Sequence, residues 1–171
     1  NNRDGLMLGV CNGFQALIKL GLVPYGDIVP MTAECPTLTF NTIGRHQSRL
    51  VRTRVASNLS PWLAKTEVGD MHTIAISHGE GRFVASDDML AQLKANGQIA
   101  TQYVDEAGVP GMDLSVNPNG SLLAIEGITS PDGRVFGKMG HSERYSNGTF
   151  KNVPGEKDQP LFAAGVEYFA A

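Results

Sequence analysis

Cys11 is the residue of this chain best placed to act as a nucleophile. It sits in Gly9-Val10-Cys11-Asn12-Gly13, where the short apolar run beginning at Leu6 stops and a helical pattern begins. A nucleophile between two glycines at a strand-to-helix turn has the form of a nucleophile elbow, which lifts the reactive side chain out of the sheet edge. Glycines fit both flanks because the turn strains the backbone and presses strand and helix together, so a Cβ on either side is expected to collide. A thiol at the first turn of a helix meets the positive end of the helix dipole, which favours thiolate. The N–H of Asn12 then points where an oxyanion would develop.

A cysteine in that position needs a base to take its proton and return it to a leaving group, and imidazole is matched to that role near neutral pH. Four histidines are available. His46, in a polar stretch, and His72, opening a strand, read as surface or structural residues. His78 and His141 each lie just beyond a strand end. His141 has Glu143 two residues on, and in an extended segment such residues point the same way, so the carboxylate could orient the imidazole and stabilise its charged form. The spacing gives Cys11, His141 and Glu143 as a relay, against the plainer alternative that Glu143 pairs with Arg144. Cys35, in a loop before Pro36, reads as unreactive because no neighbour in sequence would lower its pKa. No paired His or Cys spacing suggests a metal site.

These side chains need a scaffold. Leu6 to Val10 reads as a buried strand, and Phe14, Leu17 and Ile18, with Ala16 and Leu20, form the apolar face of a helix ended by Gly21 and Pro24. Tyr25 to Pro36 is a loop. Ser48 to Ser57 is a strand with one wet face carrying Arg49, Arg52 and Arg54, either solvated charges or an anion site. Trp62, after Pro61, anchors a short turn. Met71 to Ser77 is a second buried strand that ends in His78-Gly79-Glu80-Gly81-Arg82-Phe83. That glycine-rich turn reads equally well as a ligand turn at a strand's carboxyl end or as a hairpin turn leading to Arg82–Ala85. Ser86 caps a helix stopped by Gly97, and strands follow at Ile99–Val104, Leu122–Ile128 and Arg134–Met139. The last two are joined by Pro131-Asp132-Gly133 and deliver Gly140-His141-Ser142. A loop through Asn147-Gly148 and a helix from Pro160 to Phe169 complete the chain.

At 171 residues, 42% of them hydrophobic, one domain with a sizeable core is expected. A net charge of -3 offers no basic footprint for nucleic acid, and no apolar run approaches the roughly 18 residues of a membrane span. Two cysteines imply no disulfide framework and point to a reducing, cytoplasmic setting. Asn1-Asn2-Arg3-Asp4-Gly5 runs straight into a buried strand, as in a fragment of a longer polypeptide.

Gly9-Val10-Cys11-Asn12-Gly13-Phe14-Gln15 resembles the G-x-C-x-G-x-Q elbow of class I glutamine amidotransferases, whose Cys-His-Glu triad ends in a His-x-Glu motif matched by His141-Ser142-Glu143. His78 to Phe83, Asn117-Pro118-Asn119-Gly120-Ser121 and Gly127 to Gly133 resemble, more narrowly, the glutaminase part of phosphoribosylformylglycinamidine synthase. The similarity runs from Gly5 to about Arg144. It implies an α/β fold, three-layered, with an open and mostly parallel sheet flanked by helices in flavodoxin-like fashion. It implies that Cys11 attacks the side-chain amide of glutamine, forms a γ-glutamyl thioester and releases ammonia. A synthase domain, fused or in complex, would use the ammonia with ATP and Mg to convert formylglycinamide ribonucleotide to the amidine; no cofactor is implied within this stretch. Asn12 and Gln15 would help hold the substrate glutamine, and the Ser77-His78-Gly79 turn its α-amino and carboxylate end.

Two departures stand out. Many relatives have Pro where Ser142 stands. The first strand of the family and the glycine-rich loop that gives a second oxyanion N–H precede the elbow and are not in this chain, so residues 1–171 by themselves are expected to be a poor glutaminase; one oxyanion donor is worth about 3 kcal/mol in the barrier. Two further readings remain: another cysteine hydrolase of the same fold, and a regulatory or docking domain without turnover.

Overall fold

The computed structural model describes residues 4–146 and 148–170. Asn1 to Arg3 of the opening segment and Asn147 of the late loop lie outside the described residues. Among the described residues eight strands and four α-helices follow in the order β1 (Met7–Val10), α1 (Asn12–Leu20), α2 (Leu22–Tyr25), β2 (Thr37–Phe40), β3 (Gln47–Val55), β4 (Met71–His78), β5 (Glu80–Val84), α3 (Asp87–Ala95), β6 (Ile99–Tyr103), β7 (Ile125–Thr129), β8 (Val135–Lys138) and α4 (Leu161–Tyr168).

Six strands form one sheet in the order β1-β8-β7-β6-β3-β4, and β2 pairs with β5 in a separate two-stranded ribbon. The class is α/β with helices on both faces, as expected, but the sheet is mixed rather than mostly parallel. β1 and β8 are parallel, whereas β8–β7, β7–β6, β6–β3 and β3–β4 are antiparallel. The physical reason is connection length. A tight turn through Pro131 and Gly133 can join β7 to β8 only as antiparallel neighbours, because a parallel pair needs a crossover of about a dozen residues or more.

One face of the sheet carries α1, α3 and the β2–β5 ribbon over a core that includes Phe14, Leu17, Ile18, Leu38, Phe83, Leu93, Ile128 and Val135. The i, i+3, i+4 spacing of Phe14, Leu17 and Ile18 turns these three inward. Leu20, expected to extend that stripe, is 45% exposed, so the buried face is narrower than the sequence suggests. Gly21 ends α1 in the left-handed conformation (φ 84°) with its N–H on the Ile18 carbonyl. The opposite face packs Val55, Leu63, Phe136 and Leu161 with Trp62, whose Nε1 donates to the Met7 carbonyl at 3.2 Å.

β5 settles one open question. It does not fold back on β4 as a hairpin but crosses to β2, with buried Leu38 opposite buried Phe83. The turn at His78 to Glu80 is therefore a crossing from one sheet to another. β2 itself has no clear signature in the sequence, because its four residues follow directly on a proline-containing loop.

Candidate active site

β1, β8 and β4 end at the same side of the sheet, and each delivers part of a single site. At the end of β1, Cys11 occupies φ 54°, ψ -107°, outside the ordinary regions for an L-residue. It is held there by its N–H on the Lys138 carbonyl (2.8 Å) and by its own carbonyl accepting from the Gln15 N–H (3.1 Å). Only one of the two flanking glycines is in close contact. A Cβ on Gly9 would stand 2.7 Å from the Gly13 carbonyl carbon, so strand and helix do touch there, while one on Gly13 would meet nothing within 4 Å.

The thiol is partly buried, with Sγ 3.8 Å from the Ser77 carbonyl. Burial pushes its pKa up; the Asn12 N–H and the Arg144 guanidinium pull the other way without cancelling it. The helix dipole favours the thiolate, but desolvation outweighs it. A thiol kept protonated requires a base in the site.

His141 follows β8. Its N–H donates to the Ala75 carbonyl of β4 at 2.8 Å, which ties the end of β8 across to β4. Nδ1 lies 2.5 Å from Glu143 Oε1, which fixes the ring and leaves Nε2 buried without a protein partner. The pairing is as expected, but its geometry is not that of an extended segment. Ser142–Arg144 form a 3-10 turn, and its curl brings Glu143 back to the ring. Glu143 therefore bonds His141 rather than Arg144.

Cys11 and His141 open onto one cavity of about 630 Å³, together with Asn12, Gln15, Ser77, His78, Gly79 and Glu80. Gln15 Nε2 donates to the Glu80 carbonyl at 2.8 Å, which joins helix α1 to the crossing turn and leaves the Gln15 amide oxygen for a ligand. His46 and Arg144 also line the cavity, and His46 Nε2 hydrogen-bonds Ser77 Oγ at 3.1 Å. His46 is exposed, as its polar stretch suggests, and it also stands at the rim of this cavity. The antiparallel register that pairs Gln47 with His78 is what sets it beside the turn, and no local motif signals it.

His78 is a scaffold residue. Burial lowers its pKa to about 4, so it is neutral; Nδ1 lies 3.1 Å from Asn41 Oδ1, and its carbonyl accepts from Asn41 Nδ2. Asn119 and Ser121 of the Asn117–Ser121 motif reach in from behind. Asn119 Nδ2 donates to the Gly81 carbonyl (2.6 Å) and Ser121 Oγ accepts from the Phe83 N–H (3.0 Å), so the motif braces the turn.

Two other expectations also have outcomes. Arg52 pairs with Glu106, Arg54 with Gln102 of β6 and the Gly108 carbonyl, and Arg49 with the Leu114 and Ser115 carbonyls, so these arginines are engaged in tying β3 to β6 and to neighbouring loops. Cys35 does have neighbours that lower its pKa, namely the hydroxyl and N–H of Thr32 and the Tyr25 hydroxyl, but it lies outside the cavity. Among the described residues no group of three or more His, Cys, Asp or Glu is placed to hold a metal, and no helix is long and apolar enough to cross a membrane.

Known proteins share this arrangement of sequence and fold. A profile for the CobB/CobQ-like glutamine amidotransferase domain matches residues 1–169. The chain is 39% identical over 140 residues to phosphoribosylformylglycinamidine synthase subunit PurQ of Aquifex aeolicus, covering 82% of this chain and 56% of that protein. It is 36% identical over 170 residues to the PurQ subunit of Synechococcus elongatus, covering 98% and 64%. Among solved structures, a chain of PurLQS from Thermotoga maritima superposes with a TM-score of 0.68 at 29% identity, over 96% of this chain and 62% of that one. The chain thus spans between 56% and 64% of the length of these curated relatives. With a family profile over nearly its whole length and a cysteine elbow that shares a cavity with His141, the chain belongs to the CobB/CobQ-like glutamine amidotransferase domain family.

Proposed function

We propose that this chain is the glutaminase of a phosphoribosylformylglycinamidine synthase. The observation that carries the reading is a strained cysteine elbow opening onto the same cavity as a Glu-oriented imidazole whose Nε2 has no protein partner. His141 Nε2 takes the Cys11 proton as Sγ attacks the side-chain carbonyl carbon of glutamine. The Asn12 N–H, at the start of α1, faces the oxygen that becomes negative. Glu143 holds the imidazolium. Collapse of the adduct breaks the C–N bond; ammonia leaves with the proton from His141, and a γ-glutamyl thioester remains on Cys11. Water, deprotonated by His141, then releases glutamate and restores the thiol. Gln15 and the Ser77-His78-Gly79 turn hold the substrate.

The ammonia passes to a synthase partner, fused or in complex, which holds the ATP and Mg for amidine formation in purine biosynthesis. The relatives' designation as synthase subunits supports that partner. A cytoplasmic setting agrees with two unpaired cysteines. The test uses the full-length protein with its synthase partner. Cys11→Ala should abolish glutamine-dependent amidine synthesis and glutamate release, and leave synthesis from free ammonia intact. Equal loss of both activities would mean that Cys11 is structural.

A further inference from the structure

The turn that carries His141 rests on a fully buried charge. Lys138 and Glu126 are both inaccessible to solvent, and their side chains lie 3.5 Å apart. Lys138 Nζ donates to the Gly140 carbonyl and to Ser142 Oγ, each at 2.9 Å, so one ammonium grips the backbone before His141 and the side chain after it. Glu126 Oε1 accepts from the Gly140 N–H at 2.5 Å, and Oε2 accepts from the Thr101 hydroxyl. Ser142 Oγ donates in turn to Gln159 Oε1 at 2.6 Å, reaching the segment just before α4. The main chain of Lys138 contributes separately, because its carbonyl is the acceptor that holds the Cys11 N–H.

We propose that Lys138, seated on Glu126 and Ser142, is a positioning residue that sets the placement of His141 against Cys11. A buried ion pair is a poor device for stability, because desolvation offsets most of its attraction. What this pair supplies is direction. All three acceptors of Nζ are fixed by other elements, and two of them belong to the residues flanking His141. Neither charged group lines the cavity, so the pair makes no contact with a ligand there; it acts through the geometry of that turn, with the Lys138 charge also felt by Glu143.

The inference rests on the glutaminase reading, and the experiment separates the two. In the full-length protein with its partner, Lys138→Met and the double variant Lys138→Met/Glu126→Gln are compared with wild type. The double variant removes the orphaned carboxylate charge and keeps the fold testable. Measured are kcat and KM for glutamine hydrolysis and the peptide-resolved rate of Cys11 alkylation by iodoacetamide, a readout independent of turnover. Both variants should lose at least tenfold in kcat with KM within about twofold, and Cys11 should alkylate at a rate differing at least threefold from wild type. A folded double variant with wild-type kcat and wild-type alkylation would overturn the proposal. Failure of wild type itself to hydrolyse glutamine would overturn the glutaminase reading, and the alkylation comparison would still decide the role of Lys138.

Discussion

At the scale of residues, the chemistry depends on which imidazole is free to act. His78 and His141 both follow strands, and sequence separates them only by the nearby Glu143. The structure separates them by the partner of Nδ1, since Nε2 is unpartnered in both: His78 is kept neutral by burial with Nδ1 on the Asn41 amide, whereas His141 Nδ1 meets the Glu143 carboxylate. Replacing Glu143 with Gln should reduce kcat by on the order of 10²-fold with little change in KM, since orientation and charge support are lost while the ligand contacts remain; steady-state hydrolysis of glutamine measures this.

The depressed pKa of His78 also has a thermodynamic sign. With a folded value of about 4 against about 6.5 unfolded, the unfolded chain takes up the proton first. The stabilising contribution is complete above about pH 6.5 and is lost as pH falls through about 4, an effect of about 3 kcal/mol. Urea denaturation at pH 7 and pH 4.5 should show a smaller pH dependence for His78→Gln than for wild type; equal slopes would contradict the assignment. The pair His141–Glu143 is legible in the sequence because it is local. His46, Arg144 and Asn41 are not, because strand register and a crossing between sheets place them.

At the scale of elements, the elbow is asymmetric, and the asymmetry is testable. Gly9→Ala should destabilise the protein and lower activity together, because its Cβ would press on the Gly13 backbone and on Leu17. Gly13→Ala should be tolerated and stabilise α1 by up to about 1 kcal/mol, since the added methyl enters open space in a helical position. Thermal melts of the two variants distinguish them. The motif alone marks both glycines alike, because a sequence pattern records the turn but not which flank is in contact. The Asn117–Ser121 segment illustrates the same limit: its turn residues predict a loop, yet its fully buried Asn119 braces the crossing at Gly81. Asn119→Ala should cost about 1–3 kcal/mol in stability by leaving the Gly81 carbonyl and the Tyr103 hydroxyl without that partner, with a raised KM for glutamine.

At the scale of the whole molecule, β1 and β4 stand at opposite ends of the sheet order, yet Cys11 and Ser77 meet. The sheet curls, and the His141–Ala75 bridge fastens the chain beyond β8 to β4 across the gap. Strand types and the α/β class follow from periodicity. The curl and the mixed strand directions do not, because they depend on pairings between segments far apart in the chain. Three strand ends converge through that curl, and the convergence makes a site from residues separated by as many as 130 positions, Cys11 and His141.

In the proposed function Cys11 is the nucleophile that attacks glutamine in the cavity it shares with His141. Cys35 competes as a thiol, with neighbours that lower its pKa, so a general alkylating agent discriminates poorly. The direct measurement treats the full-length protein with a diazoketone analogue of glutamine and maps the adduct by mass spectrometry. A single adduct on Cys11 is expected, blocked by excess glutamine and slowed in Glu143→Gln. An adduct on Cys35, or none on the folded protein, would contradict Cys11 as the nucleophile.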